Sequence, residues 1–150
     1  MSVLIFIDSS EGHVKKASLE AMSYGVAIAK QLNTTAEGVV LGSVKDDLAA
    51  LGKYGVKKIH HVNNDSLNHF DSQVYTNVIA QVAQSTAAKL IVFSNNMDGK
   101  AIAPRLSARL KAALVSGAVA LPDTSKGFVV RKNVFSGKAF ANVSLNTDIK

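Results

Sequence analysis

The fold of this chain is constrained most by residues 2–7 (SVLIFI), an unbroken apolar run that ends at Asp8. Such a run, without alternating polar residues, is typical of a strand buried on both faces, as in a parallel sheet. Residues 90–94 (LIVFS) form a second such run. Residues 2–7 are too few to cross a membrane, and no charged lead or small-residue cleavage site marks a signal peptide. The sequence therefore predicts a buried parallel sheet.

Helix-spaced apolar residues alternate with further strand-like runs. Spacings of three and four predict helices over residues 19–32, 74–82 and 102–113. Two further strands are predicted over residues 36–44 and 56–62. The small residues Ala17, Ala21 and Gly25 form a stripe at intervals of four, where the first helix could lie close to the sheet. Strands that alternate with helices indicate a parallel α/β arrangement.

Turn and capping residues set the expected ends of two helices. Asp46 and Asp47 are expected to open a short helix that ends at Gly55, with the acids at its positive end. Residues 95–99 are predicted to form a turn. Pro104 is therefore expected in the first turn of the helix that follows, where a missing N–H has little effect.

The alternation stops in the last third of the chain. Residues 116–121, 127–134 and 139–145 are predicted as strands with no helix between them, and Ser136 and Gly137 as a hairpin turn. The predicted fold is α/β: one three-layer domain over residues 1–150. Its mainly parallel sheet is flanked by helices and followed by a C-terminal antiparallel hairpin.

Composition excludes several classes of site. The chain has no cysteine, so disulfides, zinc–thiolate sites, iron–sulfur clusters and thiol nucleophiles are absent. Its net charge of +6 is concentrated in residues 100–150, which carry nine Lys and Arg against two Asp. These basic residues are scattered, without a basic run and with little aromatic interleaving. The pattern favours a solvated face, or one that meets an acidic partner, over a nucleic-acid surface.

Ligands of parallel sheets usually bind beyond the carboxyl ends of the strands. Three segments are expected there: residues 8–13, 42–45 and 94–100. The third (SNNMDGK) supplies Asn95, Asn96, Gly99 and Lys100 as candidate cofactor-binding residues, because amides at a helix start can face an anion. The alternative is a turn and a helix cap, since Asn, Asp and Gly are the usual turn residues.

Asp8 is the fifth candidate, because it is a carboxylate at the end of a buried strand. It could contact a ribose or adenine, or it could accept hydrogen bonds from the Ser9 and Ser10 amides. The dinucleotide and Walker phosphate patterns are absent. His60 and His61 point to opposite faces of one strand, and no metal-ligand spacing or nucleophile signature emerges. We therefore predict no metal site and no catalytic residue.

Several segments, in order, resemble the alpha subunit of electron transfer flavoproteins. The opening VLIFID and residues 51–59 (LGKYGVKKI) are similar to the first strand and to a glycine-containing segment of that family. Residues 99–110 (GKAIAPRLSARL) are similar to its G-[RK]-x-[LIV]-x-P-R-[LV]-[AS]-A-x-L pattern. The hairpin matches through Arg131, Phe135, Gly137, Lys138 and Ala139. The chain thus resembles the amino-terminal domain of that subunit.

The resemblance implies an electron carrier rather than an enzyme, and an adenine nucleotide alpha hydrolase-like, Rossmann-like fold. It implies a scaffold that packs against the beta subunit of a heterodimer, which passes electrons from dehydrogenases to a downstream acceptor through FAD. The flavin would be held mainly by a carboxy-terminal domain outside this chain, which we expect to be cut off at a domain boundary. The compartment would be the cytoplasm in bacteria and the mitochondrial matrix in eukaryotic relatives. Arg105 is expected to anchor a loop.

An alternative function is a stand-alone adenine-nucleotide-binding domain of the universal-stress-protein kind. Asp8 and residues 94–100 would then grip ATP. That family usually has further glycines after the fourth strand, and Gly99 has no such companions here. No nucleic-acid or membrane partner is expected. Surface left exposed in the isolated domain could drive a homodimer.

Overall fold

A four-stranded parallel sheet forms the centre of the protein in the computed structural model, which describes residues 2–150. Its order is β5-β4-β1-β6, so the apolar run at the start of the chain is an inner strand. The strands are β1 (Ser2–Phe6), β2 (Ser9–Ser10), β3 (His13–Val14), β4 (Thr35–Leu41), β5 (Lys58–Val62), β6 (Ala88–Val92), β7 (Val129–Val134) and β8 (Ala139–Ser144). The helices are α1 (Lys16–Gln31), α2 (Ser72–Ser85) and α3 (Met97–Leu110).

Strand β1 is buried on both faces because helices cover both sides of the sheet. Val3 and Ile5 pack into a core with α1, whereas Leu4 and Phe6 pack into a second core with α2 and α3. This alternation explains why the sequence of β1 is apolar throughout. The predicted three-layer α/β fold is confirmed.

The C-terminal hairpin is also confirmed, as an antiparallel pair of β7 and β8. The expected strand over residues 116–121 is wrong as drawn. Within this segment only Ala118 forms a bridge to β7, an isolated antiparallel one, and Asp123 beyond it forms a second. At the edge of the main sheet, Lys150 exchanges backbone hydrogen bonds with Lys89 and Ile91 of β6. Each helix of residues 2–150 falls short of the length or hydrophobicity that a membrane crossing requires.

One short helix differs from the prediction in its type, and α3 differs in the residue at which it begins. The segment after Asp47 is a 3₁₀ helix, Leu48–Tyr54; Asp47 caps it and Gly55 ends it with a φ of 92°, as expected for these residues. Helix α3 begins at Met97, because the side chain of Asn96 caps it. The expected turn over residues 95–99 is therefore mostly helix, and Pro104 lies inside α3 rather than in its first turn.

The close approach of α1 to the sheet depends on Gly25. A Cβ atom on this residue would lie 2.6 Å from both Cγ1 and Cδ1 of Ile5. Carbon atoms at this separation overlap, so a methyl group at position 25 must displace Ile5 or the helix. The predicted small-residue stripe is thus confirmed at its C-terminal member.

We expect Gly25→Ala to lower the free energy of unfolding by about 1–3 kcal/mol through overpacking. On an Ile5→Ala background, which itself costs about 2–5 kcal/mol, the same change should be neutral or stabilising because the clash is gone. Urea denaturation of the four proteins measures this coupling. Equal effects of Gly25→Ala on both backgrounds would contradict the packing described for α1.

Candidate functional site

Asp8 lies at the carboxyl end of β1, and its side chain is only 5% exposed. The Nζ atom of Lys15 lies 2.7 Å from its Oδ2 atom, and the Asn96 amide donates a hydrogen bond of 2.9 Å to the same oxygen. Lys15 also reaches Oδ2 of Asp98 at 2.6 Å. These four residues, Asp8, Lys15, Asn96 and Asp98, are called the Asp8 cluster below. The cluster joins the end of β1 to the start of α3.

The backbone of Asp8 is held as firmly as its side chain. The Ser18 hydroxyl accepts a hydrogen bond from the Asp8 N–H at 2.8 Å and donates one to the Asp8 carbonyl at 3.0 Å. The Lys15 N–H donates to the same carbonyl. Of the two alternatives for Asp8, the one in which the Ser9 and Ser10 amides hold its carboxylate is wrong, because those residues form β2 and pair with β3.

Residues at the start of α3 cap the helix themselves. Oδ1 of Asn96 accepts a hydrogen bond of 2.9 Å from the Gly99 N–H, which caps the helix. A Cβ atom on Gly99 would lie 2.1 Å from the Ser94 carbonyl oxygen, so only glycine fits at this position. Asn96 therefore serves two partners: its oxygen caps α3 and its amide nitrogen binds Asp8.

The structure divides the five candidates predicted from the sequence. Asp8 and Asn96 are in direct contact, and Gly99 packs beside them. Asn95 and Lys100 are exposed and lie outside the Asp8 cluster. The sequence analysis does not identify Lys15, because a single lysine in a polar loop forms no pattern. Its partner Asp98 lies 83 positions further along the chain. Asp98 was seen in the helix-start segment but was not among the candidates.

Burial and charge oppose each other in the Asp8 cluster. Burial raises the pKa of the Asp8 carboxyl, although Lys15 and Asn96 act to lower it. Burial acts to lower the pKa of Lys15, but hydrogen bonds and charge from Asp8 and Asp98 raise it. One cation thus lies between two carboxylates, and these contacts fasten the loop after β1 to α3. The contacts of the Asp8 cluster therefore stabilise the fold.

A cleft of about 620 Å³ runs along the outer edge of β6 between α1 and α3. Its walls are largely apolar, and the segment around Gly117 and the side chains of Phe128 and Leu145 complete them. Four of the sequence candidates line the cleft: Asn95, Asn96, Gly99 and Lys100. Ser94, also in its wall, has a buried hydroxyl with no hydrogen-bond partner. A volume of this size is common for small-molecule sites.

Neither the histidines nor Arg105 forms part of the Asp8 cluster. His60 contacts Oε2 of Glu37 at 2.6 Å, and His61 contacts the Gly42 carbonyl at 2.7 Å. Within residues 2–150, no three metal-ligating side chains come together. The expectation that Arg105 anchors a loop is wrong, because its side chain is exposed on α3 and forms no hydrogen bond or ion pair with residues 2–150.

Comparison with known proteins places the chain beside one family. The model of the electron transfer flavoprotein domain matches residues 3–150, which confirms the resemblance found in the sequence. Protein FixB of Clostridium saccharobutylicum is 24% identical over 95% of this chain. The electron transfer flavoprotein subunit alpha of Bacillus subtilis is 26% identical over 97% of it. The chain spans 43% and 44% of the length of these two relatives.

Among solved structures, the universal stress protein from Archaeoglobus fulgidus in complex with dAMP is similar to this chain at a TM-score of 0.47. The alignment is 10% identical and covers 70% of this chain and 90% of that protein. A likeness of this degree is too low to support an inference about ligands.

The Asp8 cluster predicts how stability depends on pH. The pKa of Asp8 is above its ordinary value of 3.8 in the folded protein, so the folded chain binds more protons than the unfolded chain between the two values. The contribution of Asp8 to stability is therefore present below the ordinary value and is lost as the pH rises through the folded pKa.

Asp8→Asn removes this titration. We expect the free energy of unfolding of the variant, relative to that of the wild type, to increase as the pH is raised from about 4 towards 7. Urea denaturation of both proteins across this range measures the difference. A difference that stays constant or decreases with pH would contradict the raised pKa of Asp8.

Proposed function

This chain belongs to the electron transfer flavoprotein domain family, and we propose that it is the scaffold and partner-binding domain of such a carrier's alpha subunit. In this proposal the subunit forms a heterodimer with a beta subunit. The heterodimer passes electrons from dehydrogenases to a downstream acceptor through FAD. The observation that carries the proposal is the family match, which extends over residues 3–150.

Electron transfer flavoproteins are carriers rather than enzymes, so the prediction that this chain is not an enzyme agrees with its family. Proteins of the family bind flavin. We propose that the redox flavin is held mainly outside residues 1–150. The Asp8 cluster supports this, because the groups at the carboxyl end of β1 are bound to one another rather than arranged around a ligand.

The five sequence candidates take different roles in this proposal. Asp8, Asn96 and Gly99 maintain the fold, through the buried ion pair, the cap of α3 and the close approach to Ser94. Asn95 and Lys100, on the rim of the cleft, remain the candidates for contact with a ligand. No metal and no catalytic residue belong to the proposal.

A second candidate function is the stand-alone adenine-nucleotide-binding domain. One observation favours it: the cleft beside β6 has the volume of a small-molecule site and contains the unpaired hydroxyl of Ser94. Lys100 on its rim would face the phosphates. Against it, Asp8 is occupied by Lys15 and Asn96, so a ribose would have to displace an existing ion pair.

Partners and compartment follow from the first proposal. The beta subunit is the direct partner, and dehydrogenases are met through the complete heterodimer. The compartment is the cytoplasm for a bacterial source. Nucleic acid and membrane are not partners. A homodimer of the isolated chain, expected from its exposed surface, remains a prediction.

Calorimetric titration of the purified chain with ATP, AMP and FAD tests the proposed function, together with an absorbance scan for flavin. We expect a colourless protein that binds none of the three, because Asp8, Asn96 and the Gly99 N–H at the sheet end are already paired. Tight binding of ATP or AMP, weakened by Lys100→Glu but not by Lys57→Glu, would replace the scaffold by the nucleotide-binding function. Lys57 is the matched control, an exposed lysine near the opposite edge of the sheet. Stoichiometric flavin in the purified chain would contradict a cofactor site outside it.

A further inference from the structure

Beside α1 lies a small antiparallel layer formed by residues 118–123, β7 and β8. The Val119 N–H donates to the Arg131 carbonyl at 3.0 Å, and Asp123 and Val129 exchange two backbone hydrogen bonds of 2.8 and 3.0 Å. Strand β7 is therefore in the middle of the layer. Within residues 2–150, β8 pairs only with β7, so its outer edge is free.

Side-chain hydrogen bonds fix this layer on α1. The Tyr24 hydroxyl donates to the Ala120 carbonyl at 3.0 Å, and the Gln31 amide donates to the Pro122 carbonyl at 2.8 Å. Val130 is 5% exposed, and Phe128 packs against the core that contains α1. One face of the layer is thus fastened to the domain, and the other face is presented to solvent in a defined orientation.

Strand alternation assigns the residues of the outer face. Arg131 is opposite Asn142 in the pairing of β7 with β8, and Asn133 is opposite Phe140. Val119, hydrogen-bonded beside Arg131, continues the same face. We call these five exposed residues, Val119, Arg131, Asn133, Phe140 and Asn142, the hairpin face. It combines apolar, amide and basic groups.

Two of its apolar side chains are left to solvent without cover. Phe140 is 58% exposed and Val119 is 49% exposed. The Arg131 guanidinium carbon lies 4.5 Å from the centre of the Phe140 ring, a cation–π contact that orders both side chains. Arginine beside an aromatic ring is a frequent composition of the residues that dominate binding at protein interfaces.

The hairpin turn holds a third apolar side chain outward. Phe135 is 79% exposed and has a φ of 50°, and Ser136 follows with a φ of 54°. Residues other than glycine rarely occupy this left-handed region, and a bulky one costs about 1–2 kcal/mol there. The fold itself gains little packing from a phenylalanine that is 79% exposed. A contact outside this chain would account for it.

The charge of the layer indicates the kind of partner. Residues 125–147 contain Lys126, Arg131, Lys132 and Lys138 but no acidic residue. The acidic residues that flank this segment in the sequence already have partners. Asp123 accepts a hydrogen bond from the Ser125 N–H, and Asp148 is paired with Lys89. A second copy of this chain would bring the same basic charges together. The charge therefore favours a different protein with an acidic surface.

We propose that the hairpin face binds an acidic and apolar surface of the beta subunit, which also covers the free edge of β8. This inference rests on the proposed function and adds to it the place of contact. Unpaired edge strands usually contain a charged residue or a proline that prevents pairing with another chain. Strand β8 contains neither. A partner segment laid along β8 would pair with its free backbone groups.

The test measures binding of this chain to the beta subunit of the electron transfer flavoprotein from the same organism, by calorimetry at several salt concentrations. Arg131→Glu and Phe140→Ser should each raise Kd at least about tenfold. Two exposed residues of α3 supply matched controls, Arg105→Glu and Met97→Ser, which should change Kd by less than about twofold. Binding of the wild type should weaken as salt is added. Urea denaturation shows whether each variant is folded.

Each other result has a distinct meaning. If the wild type binds and the hairpin variants bind equally well, the hairpin face is wrong and the proposed function stands. If the wild type does not bind the beta subunit, both proposals fail. A homodimer that Arg131→Glu dissociates, or binding to phosphatidylserine vesicles or duplex DNA in place of the beta subunit, would assign the face to a different partner and overturn the inference.

Discussion

The ion pair between Lys15 and the buried carboxylate of Asp8 is the contact on which the carboxyl end of the sheet depends. Asp8 lies two residues beyond β1, whose residues are all buried, and its carboxylate is therefore largely removed from water. A buried carboxylate without a partner costs several kcal/mol, and Lys15 and Asn96 offset part of that cost. Through Asn96 the same contact extends to the cap of α3, and through Ser18 to the start of α1. The three layers of the domain therefore meet at one cluster.

This arrangement supports the proposal that the domain acts as a scaffold rather than as a cofactor site. Parallel sheets offer ligands the groups at their carboxyl ends. Here the carboxylate of Asp8, the amide of Asn96 and the Gly99 N–H are already bound within the chain. The Ser94 hydroxyl in the cleft beside β6 stays unpaired among residues 2–150. The exposed apolar and basic side chains of the layer that packs on α1 form the surface that we propose for the partner protein.

The sequence predicted those parts of the structure that local patterns determine. The unbroken apolar composition of β1 predicted the buried parallel strand, and the small-residue stripe predicted the close approach of α1 that the structure shows at Gly25. Local sequence patterns did not predict features that depend on contacts between residues or segments. Asn96 reads as a turn residue, yet its contact with Gly99 starts α3 early and places Pro104 inside the helix. Lys15 meets Asp98 across 83 positions, so no local pattern identifies it. Residues 118–123 only bridge β7, because their register with it shifts between Ala118 and Asp123.

The most direct test of this account is the free energy of unfolding of Lys15→Met, alone and combined with Asp8→Asn. Methionine keeps most of the length of lysine but leaves the buried carboxylate without its cation. The account predicts a loss of about 3–5 kcal/mol for Lys15→Met, most of which the double variant recovers because the buried charge is gone. Hydrogen exchange at the Gly99 amide should accelerate in the single variant and return towards the wild-type rate in the double variant. A single variant as stable as the wild type would contradict the central role of the Asp8 cluster.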